Sequence, residues 1–168
     1  MDKILNRIVN FAVLAACLAV LVHLGLYAYH SRTPSRPPVY AKGTRISDTA
    51  DLNFGSARRT LILITASKCH FCQDSMPFYK RLTSRAHKLG IRVLGLSAEN
   101  LDTHREFLAH NGIYTDGVAS ASLNKVNFHG TPTLIEVDNK GIVITSWEGA
   151  VVPAKEPALE SSLIPTGW

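Results

Sequence analysis

The most apolar stretch of the chain comes first. From Ile8 to Tyr29 it reads IVNFAVLAACLAVLVHLGLYAY, with no Asp, Glu, Lys or Arg. As a helix rising about 1.5 Å per residue it would be roughly 33 Å long, enough to cross a bilayer core. A cleaved signal peptide would need small residues at its exit. Here the exit is Leu26-Tyr27-Ala28-Tyr29-His30, with large rings in those places. An uncleaved anchor over 8–29 is therefore expected, behind a short N-terminal flank, 1–7. Tyr27 and Tyr29 would lie at the interface. Asn10 and His23 read as tolerated polar positions and Cys17 as a small apolar filler.

Residues 30–45, HSRTPSRPPVYAKGTR, carry three prolines and no apolar period, which predicts an extended tether. From Ile46 to Trp168 the pattern changes to strands alternating with helices. Thr60–Thr65 (TLILIT) is a short continuous apolar run, the mark of a strand buried on both faces. A helix is predicted from His70 to Lys88, ending at Gly90, and a second strand over Ile91–Leu96. Asn100 or Asp102 can cap a helix that runs through His110 and closes at Asn111-Gly112. A brief strand at Val118–Ala121 and a short helix near Ser122–Phe128 follow. Thr133–Val137 and Ile142–Trp147 flank Asp138-Asn139-Lys140-Gly141, a hairpin turn. Pro153, Pro157 and Pro165 leave room for only a short terminal helix, around Ala158–Leu163. The order implies an α/β domain over 46–168.

At 168 residues the chain holds one such domain and its appendage. Its net charge of +5 suggests a nucleic-acid partner until the charges are located. Lys3, Arg7, Arg32, Arg36, Lys42 and Arg45 face the single acid Asp2, whereas from Ile46 onward cations and anions balance. The basicity flanks the apolar segment, where it can meet anionic lipid. Nucleic-acid binding loses its support. Cations on the C-terminal flank weakly favour a cytoplasmic domain, but long domains translocate largely regardless of charge.

The candidate chemistry is Cys69-His70-Phe71-Cys72, at a predicted strand-to-helix junction. A thiolate, not a thiol, attacks a disulfide, and a helix start with unpaired N–H groups favours the anion. Cys72 falls one turn on, placed to resolve a mixed disulfide or to close an intramolecular one. Lys68 and His70 are expected to hold the Cys69 thiolate. Structural zinc uses the same spacing but wants four ligands. The third cysteine is in the apolar segment, and His87, His104, His110 and His129 are scattered, so no metal site is expected.

Two further features narrow the reading. Pro77 lies five residues after Cys72 inside a predicted helix, and Gly130-Thr131-Pro132-Thr133 precedes an apolar strand. With the C-x-x-C turn, these make residues 45–150 resemble the thioredoxin superfamily. The inserted strand and helix (ENLDTHREFLAHNGI) and LNKVNFHG before GTPTLIEVDNKG resemble its membrane-anchored TlpA-like group, with ResA and CcmG types. The resemblance implies a central mixed sheet flanked by helices and a cis Thr131–Pro132 bond beside the cysteines. An ordinary trans turn is the alternative at Pro132. It also implies that Thr131 backbone groups contact substrate, with His70, Phe71 and Pro132 shaping the groove. Lys68 stands where relatives carry an aromatic residue. Leu63 stands where thioredoxins carry a buried acid that assists proton transfer at the second thiol.

The function so implied is a thiol–disulfide oxidoreductase, with Cys69 the nucleophile, Cys72 the resolving thiol and no cofactor. It would sit by a single span in a bacterial cytoplasmic (inner) membrane, facing the periplasm or outside. Its partners would be extracytoplasmic protein thiols and disulfides and a membrane or periplasmic electron donor or acceptor. The alternative from another class is a Cu(I) metallochaperone using Cys69, Cys72 and His70 or His129, since Cu(I) suits soft thiolates. Peroxidase chemistry, with Thr65 and Cys69, is a weaker third because the spacing is wrong.

Overall fold

The computed structural model describes residues 2–31 and 40–164. It divides into two compact units, Met1–Arg36 and Pro37–Trp168. Among its described residues the first contains one helix, α1 (Asp2–Ser31). Its apolar side chains Phe11, Leu14, Leu18 and Leu21 are all exposed. Side chains are described for Arg7 and residues 10–26 only, so the ring positions of Tyr27 and Tyr29 lie outside the description. Among the described residues no helix is long and apolar enough to cross a membrane. The Pro-rich stretch 32–39, most of the expected tether, lies outside the described residues.

In the second unit the apolar runs form a five-stranded mixed sheet of order β3-β2-β1-β4-β5. The strands are β1 (Arg59–Ile64), β2 (Arg92–Ser97), β3 (Gly117–Ser120), β4 (Thr133–Asp138) and β5 (Val143–Glu148). β1 pairs parallel to β2 and antiparallel to β4, which makes it the central strand and explains its unbroken run of apolar residues. Leu61, Leu63, Val93 and Leu134 face one core, built with Tyr79, Leu82, Leu108, Leu159 and Leu163. Ile62, Ile64, Leu94, Leu96 and Ile135 face the other. The helices α3 (Met76–Lys88), α4 (Leu101–His110) and α5 (Glu156–Leu163) bury residues only in the first core. Irregular chain seals the second, through Ile46, Leu52, Phe54, Ala121 and Val126.

Three predicted features come out differently. The helix expected over 70–88 is two, α2 (His70–Asp74) and α3, interrupted at Ser75. Pro77 has no N–H to continue the ladder back to Gln73, so the chain turns at Ser75 and restarts. The short helix expected near Ser122–Phe128 is a single turn. Lys125 adopts a left-handed φ of 53°, and Val126 N–H closes onto Ala121 O at 2.9 Å, which ends it as a helix C-terminus would. Tyr40–Arg45, expected in the tether, dock on the domain. Gly43 N–H reaches Val143 O and Val143 N–H reaches Thr44 O, both at 2.8 Å, while Ser146 Oγ donates to Tyr40 O. These residues supply partners for the edge of β5 that would otherwise be unpaired.

Candidate active site

β1 carries the chain to a turn in which Cys69 N–H meets Ala66 O at 3.1 Å, and α2 begins at the next residue. Cys69 is the N-cap of α2. Its sulfur accepts the Cys72 N–H at 3.2 Å, taking the place a serine or aspartate oxygen would occupy. On the other side Cys69 Sγ lies 3.3 Å from the Thr131 carbonyl oxygen, to which the thiol donates. The Thr131–Pro132 bond is cis. Pro132 O accepts the Gly149 N–H at 2.9 Å and Thr133 Oγ1 donates to Gly130 O at 2.7 Å, fixing that loop between β4 and the end of β5.

The two thiols differ. Cys69 is half-buried and Cys72 fully buried. Burial pushes the Cys69 thiol up, but the side chains of Cys72 and Thr131 and the amides of Cys72 and Phe71 outweigh it. The net result is below the ordinary thiol value. Burial, and then the hydrogen bond with Cys69, push Cys72 up to about 12. One sulfur is set for the anion and the other holds its proton.

The remaining predicted residues divide. Thr131 is half-buried at the Cys69 sulfur, Pro132 is buried behind it, and Phe71 is 57 % exposed beside it. His70 stacks loosely on Phe71, with ring centroids 5.9 Å apart, and its Nε2 pairs with Asp74 at 3.2 Å. Lys68 is exposed. The groups that lower this thiol are Cys72, Thr131 and the amides of the helix start, while the His70 ring is committed to Asp74.

The Cu(I) alternative needs a histidine brought to both sulfurs. His70 faces Asp74, and His129 Nδ1 lies 2.9 Å from Glu148 Oε2. Among the described residues no three His, Cys, Asp or Glu side chains gather to hold a metal ion. Leu63 is buried in the same core as Cys72, so the site has an apolar wall at that position.

Sequence reasoning missed Ser67, Glu99 and Ser75. Glu99 receives the Ser67 N–H at 3.0 Å and its O–H at 2.8 Å, just before Cys69. Ser75 Oγ donates to Phe71 O at 2.8 Å and accepts Val151 N–H at 3.3 Å, tying α2 to the C-terminal segment. Nothing local marks such long-range partners in one sequence.

The chain has a thioredoxin-like fold, and the solved structures it resembles agree on that. A protein assigned as thiol:disulfide interchange protein DsbE from Chlorobium tepidum superposes with a TM-score of 0.58 at 23% identity, over 74% of this chain and 96% of its own. The thioredoxin domain of a thiol-disulfide oxidoreductase from Bacteroides vulgatus gives 0.56 at 14% identity, over 73% and 98%. A thiol-disulfide isomerase from Corynebacterium glutamicum gives 0.51 at 18% identity, over 78% and 97%. No protein-family model matches the chain, and no curated protein matches its sequence.

Proposed function

We propose that this chain is a membrane-tethered thiol–disulfide oxidoreductase that exchanges the Cys69–Cys72 dithiol/disulfide with proteins outside the cytoplasm. The observation that carries this reading is the inequality of the two thiols on one turn of helix, Cys69 lowered and half-buried, Cys72 buried and raised to about 12. The names of the similar structures support the same chemistry.

In the reducing direction the Cys69 thiolate attacks one sulfur of a partner disulfide. A Cys69–partner bond forms, the partner S–S bond breaks, and the departing thiolate takes a proton. Cys72 then loses its proton and attacks Cys69 Sγ, releasing the second partner sulfur as a thiol. The partner gains two electrons and the pair closes as a disulfide; oxidation of a partner dithiol is the reverse. Thr131 and exposed Phe71 flank the attacking sulfur and offer a docking edge for the partner chain.

The anchor rests on the uncharged stretch 8–29 within α1 and on the exposure of its apolar side chains. A helix with exposed apolar side chains is costly in water and at home in lipid. The reading places it in a bacterial cytoplasmic membrane with the domain outside. Full-length protein in detergent should reduce insulin disulfides through Cys69, and a Cu(I) titration separates this from metal carriage. Turnover abolished by Cys69→Ser supports exchange, whereas stoichiometric Cu(I) binding without turnover selects the metallochaperone. For topology, an export-dependent reporter fused after Trp168 should be active in a bacterial host, and activity of a cytoplasmic reporter there would reverse the orientation.

A further inference from the structure

Outside the two thiols and their loop, the Glu99 carboxylate gathers several hydrogen-bond donors, and its connections lead to Cys69. Oε1 accepts the Ser67 backbone N–H at 3.0 Å and Oε2 accepts the Ser67 O–H at 2.8 Å. His104 Nδ1 approaches Oε1 at 3.2 Å. Three donors thus converge on one carboxylate. Burial pushes Glu99 up, but these bonds from Ser67 and His104 hold it below the ordinary carboxylate value, so it is an anion at neutral pH.

His104 is fully buried, and its Nε2 has no partner. Burial lowers its pKa against the pull of Glu99, which favours the neutral ring. With Glu99 ionised, Nδ1 carries the proton and donates, leaving Nε2 as a bare acceptor against an apolar wall. The space is made for it: a Cβ on Gly95 would lie 3.5 Å from Nε2 and 2.7 Å from Leu108 Cδ1. An apolar side chain would fill this place without leaving an unpaired nitrogen. The imidazole supplies one thing an apolar side chain could not, a hydrogen bond to Glu99.

Glu99 is also held from its own backbone. Its N–H meets Ser97 Oγ at 3.3 Å, and Ser97 Oγ donates to Thr65 O at 2.9 Å, at the exit of β1. Gln73 Nε2 donates to Ser67 O at 3.0 Å from the helix side. Ser67 is therefore fixed through its N–H, its O–H and its carbonyl. It stands two residues before Cys69, at the entry to a helix of only five residues. So short a helix does not fix its own direction, so its ends must.

We infer that Glu99 is a positioning residue for Cys69, setting through Ser67 the angle at which the chain enters α2 and hence the alignment of the Phe71 and Cys72 amides on the sulfur. His104 in turn orients Glu99. The inference rests on the reading of Cys69 as the attacking thiol. Two roles for this carboxylate predict opposite signs. As a nearby negative charge it would disfavour the thiolate, so removing it would lower the Cys69 pKa. As a clamp that aligns donors on the sulfur, removing it raises that pKa.

The test is the pH dependence of Cys69 alkylation by iodoacetamide, followed by mass spectrometry on the reduced full-length protein in detergent. Glu99→Ala should slow alkylation below the profile midpoint about fivefold or more and move that midpoint up in pH. Glu99→Gln keeps an acceptor for the Ser67 N–H and should recover at least half of the lost rate. Ser67→Ala, which deletes only the hydroxyl contact, should shift the profile the same way by less, and decides the matter if Glu99→Ala fails to fold. An unchanged midpoint in the folded variants, a shift to lower pH, or equal losses in Ala and Gln would overturn the inference. A wild-type protein that alkylates readily yet turns over no disulfide sinks the proposed function and leaves the positioning intact. Normal turnover with unmoved Glu99 and Ser67 variants sinks the positioning alone.

Discussion

The Cys69 sulfur and the Thr131 carbonyl oxygen lie 3.3 Å apart across 62 residues of chain. That contact joins the end of the central parallel pair to the loop leading into β4. It makes the site a property of the sheet rather than of the C-x-x-C turn. Thr131 occupies one side of Cys69, so an incoming sulfur must arrive from another, beside exposed Phe71.

The difference between the thiols predicts which one captures a partner. Cys72→Ala should leave the mixed disulfide at Cys69 without its resolving group. Partners should then accumulate as complexes that run apart from the monomer on non-reducing gels and collapse with reductant. Cys69→Ala should trap few or none, because Cys72 is fully buried and its proton is held to about pH 12. Trapping through Cys72 instead would reverse the two roles.

A second prediction concerns Glu136, fully buried on β4 and in contact with Arg59. Burial outweighs the Arg59 attraction and pushes its carboxyl up to about 7, from an ordinary value of 4.5. Between these values the folded state holds a proton that the unfolded state has released. Stability from this group is therefore present below about pH 4.5 and is lost as pH rises to about 7. Buried His104, with a lowered pKa, acts with the opposite sign, withdrawing stability as pH falls below its unfolded value. In urea titrations across this range, Glu136→Gln should lose less stability than wild type as pH rises toward 7. Parallel pH curves for the two proteins would show that Glu136 is ionised throughout.

The hairpin turn is tested at Gly141, whose φ is +76° and where a Cβ would lie 2.5 Å from the Ile46 carbonyl oxygen. Backbone meets backbone there, so no side chain can move aside. The Ile46 N–H also donates to Gly141 O at 2.9 Å, so the clash would open the contact that seals the second core. Gly141→Ala should cost about 2 kcal/mol or more, combining left-handed strain with displacement of the segment at Ile46. A midpoint in urea within experimental error of wild type would contradict this.

How much of this was legible in the sequence depends on range. Thr60–Thr65 announced a doubly buried strand because both of its faces must be apolar, and Asn100 and Gly112 marked the ends of α4 by local hydrogen bonding. The C-x-x-C pair and Pro132 could be placed together only through resemblance. The break at Ser75 was foreshadowed by Pro77, but its outcome depended on Phe71 and Val151 as partners. The turn at 121–125 ends because Lys125 takes a left-handed φ, which few lysines do. The Glu99 clamp on Ser67 spans 32 residues and Tyr40 O meets Ser146 across 106, distances at which no period carries information.

The last prediction is the redox poise, where the structure changes the reasons. Hydrogen bonds to the Cys69 sulfur stabilise the thiolate and so the reduced form, which makes the disulfide the stronger oxidant. The potential should lie above that of thioredoxin, about −270 mV. From sequence, His70 is the residue to blame, and replacing it by proline should lower the potential. In the structure the His70 side chain is 79% exposed and pairs with Asp74, while the stabilising groups are the Cys72 and Thr131 side chains and two backbone amides. His70→Ala should therefore move the potential by less than about 15 mV, half of the shift that corresponds to tenfold in the equilibrium constant. Equilibration of the full-length protein with glutathione buffers measures both quantities. A wild-type potential below thioredoxin's would remove the thiolate argument, and a His70→Ala shift of about 30 mV or more would return the tuning to the histidine.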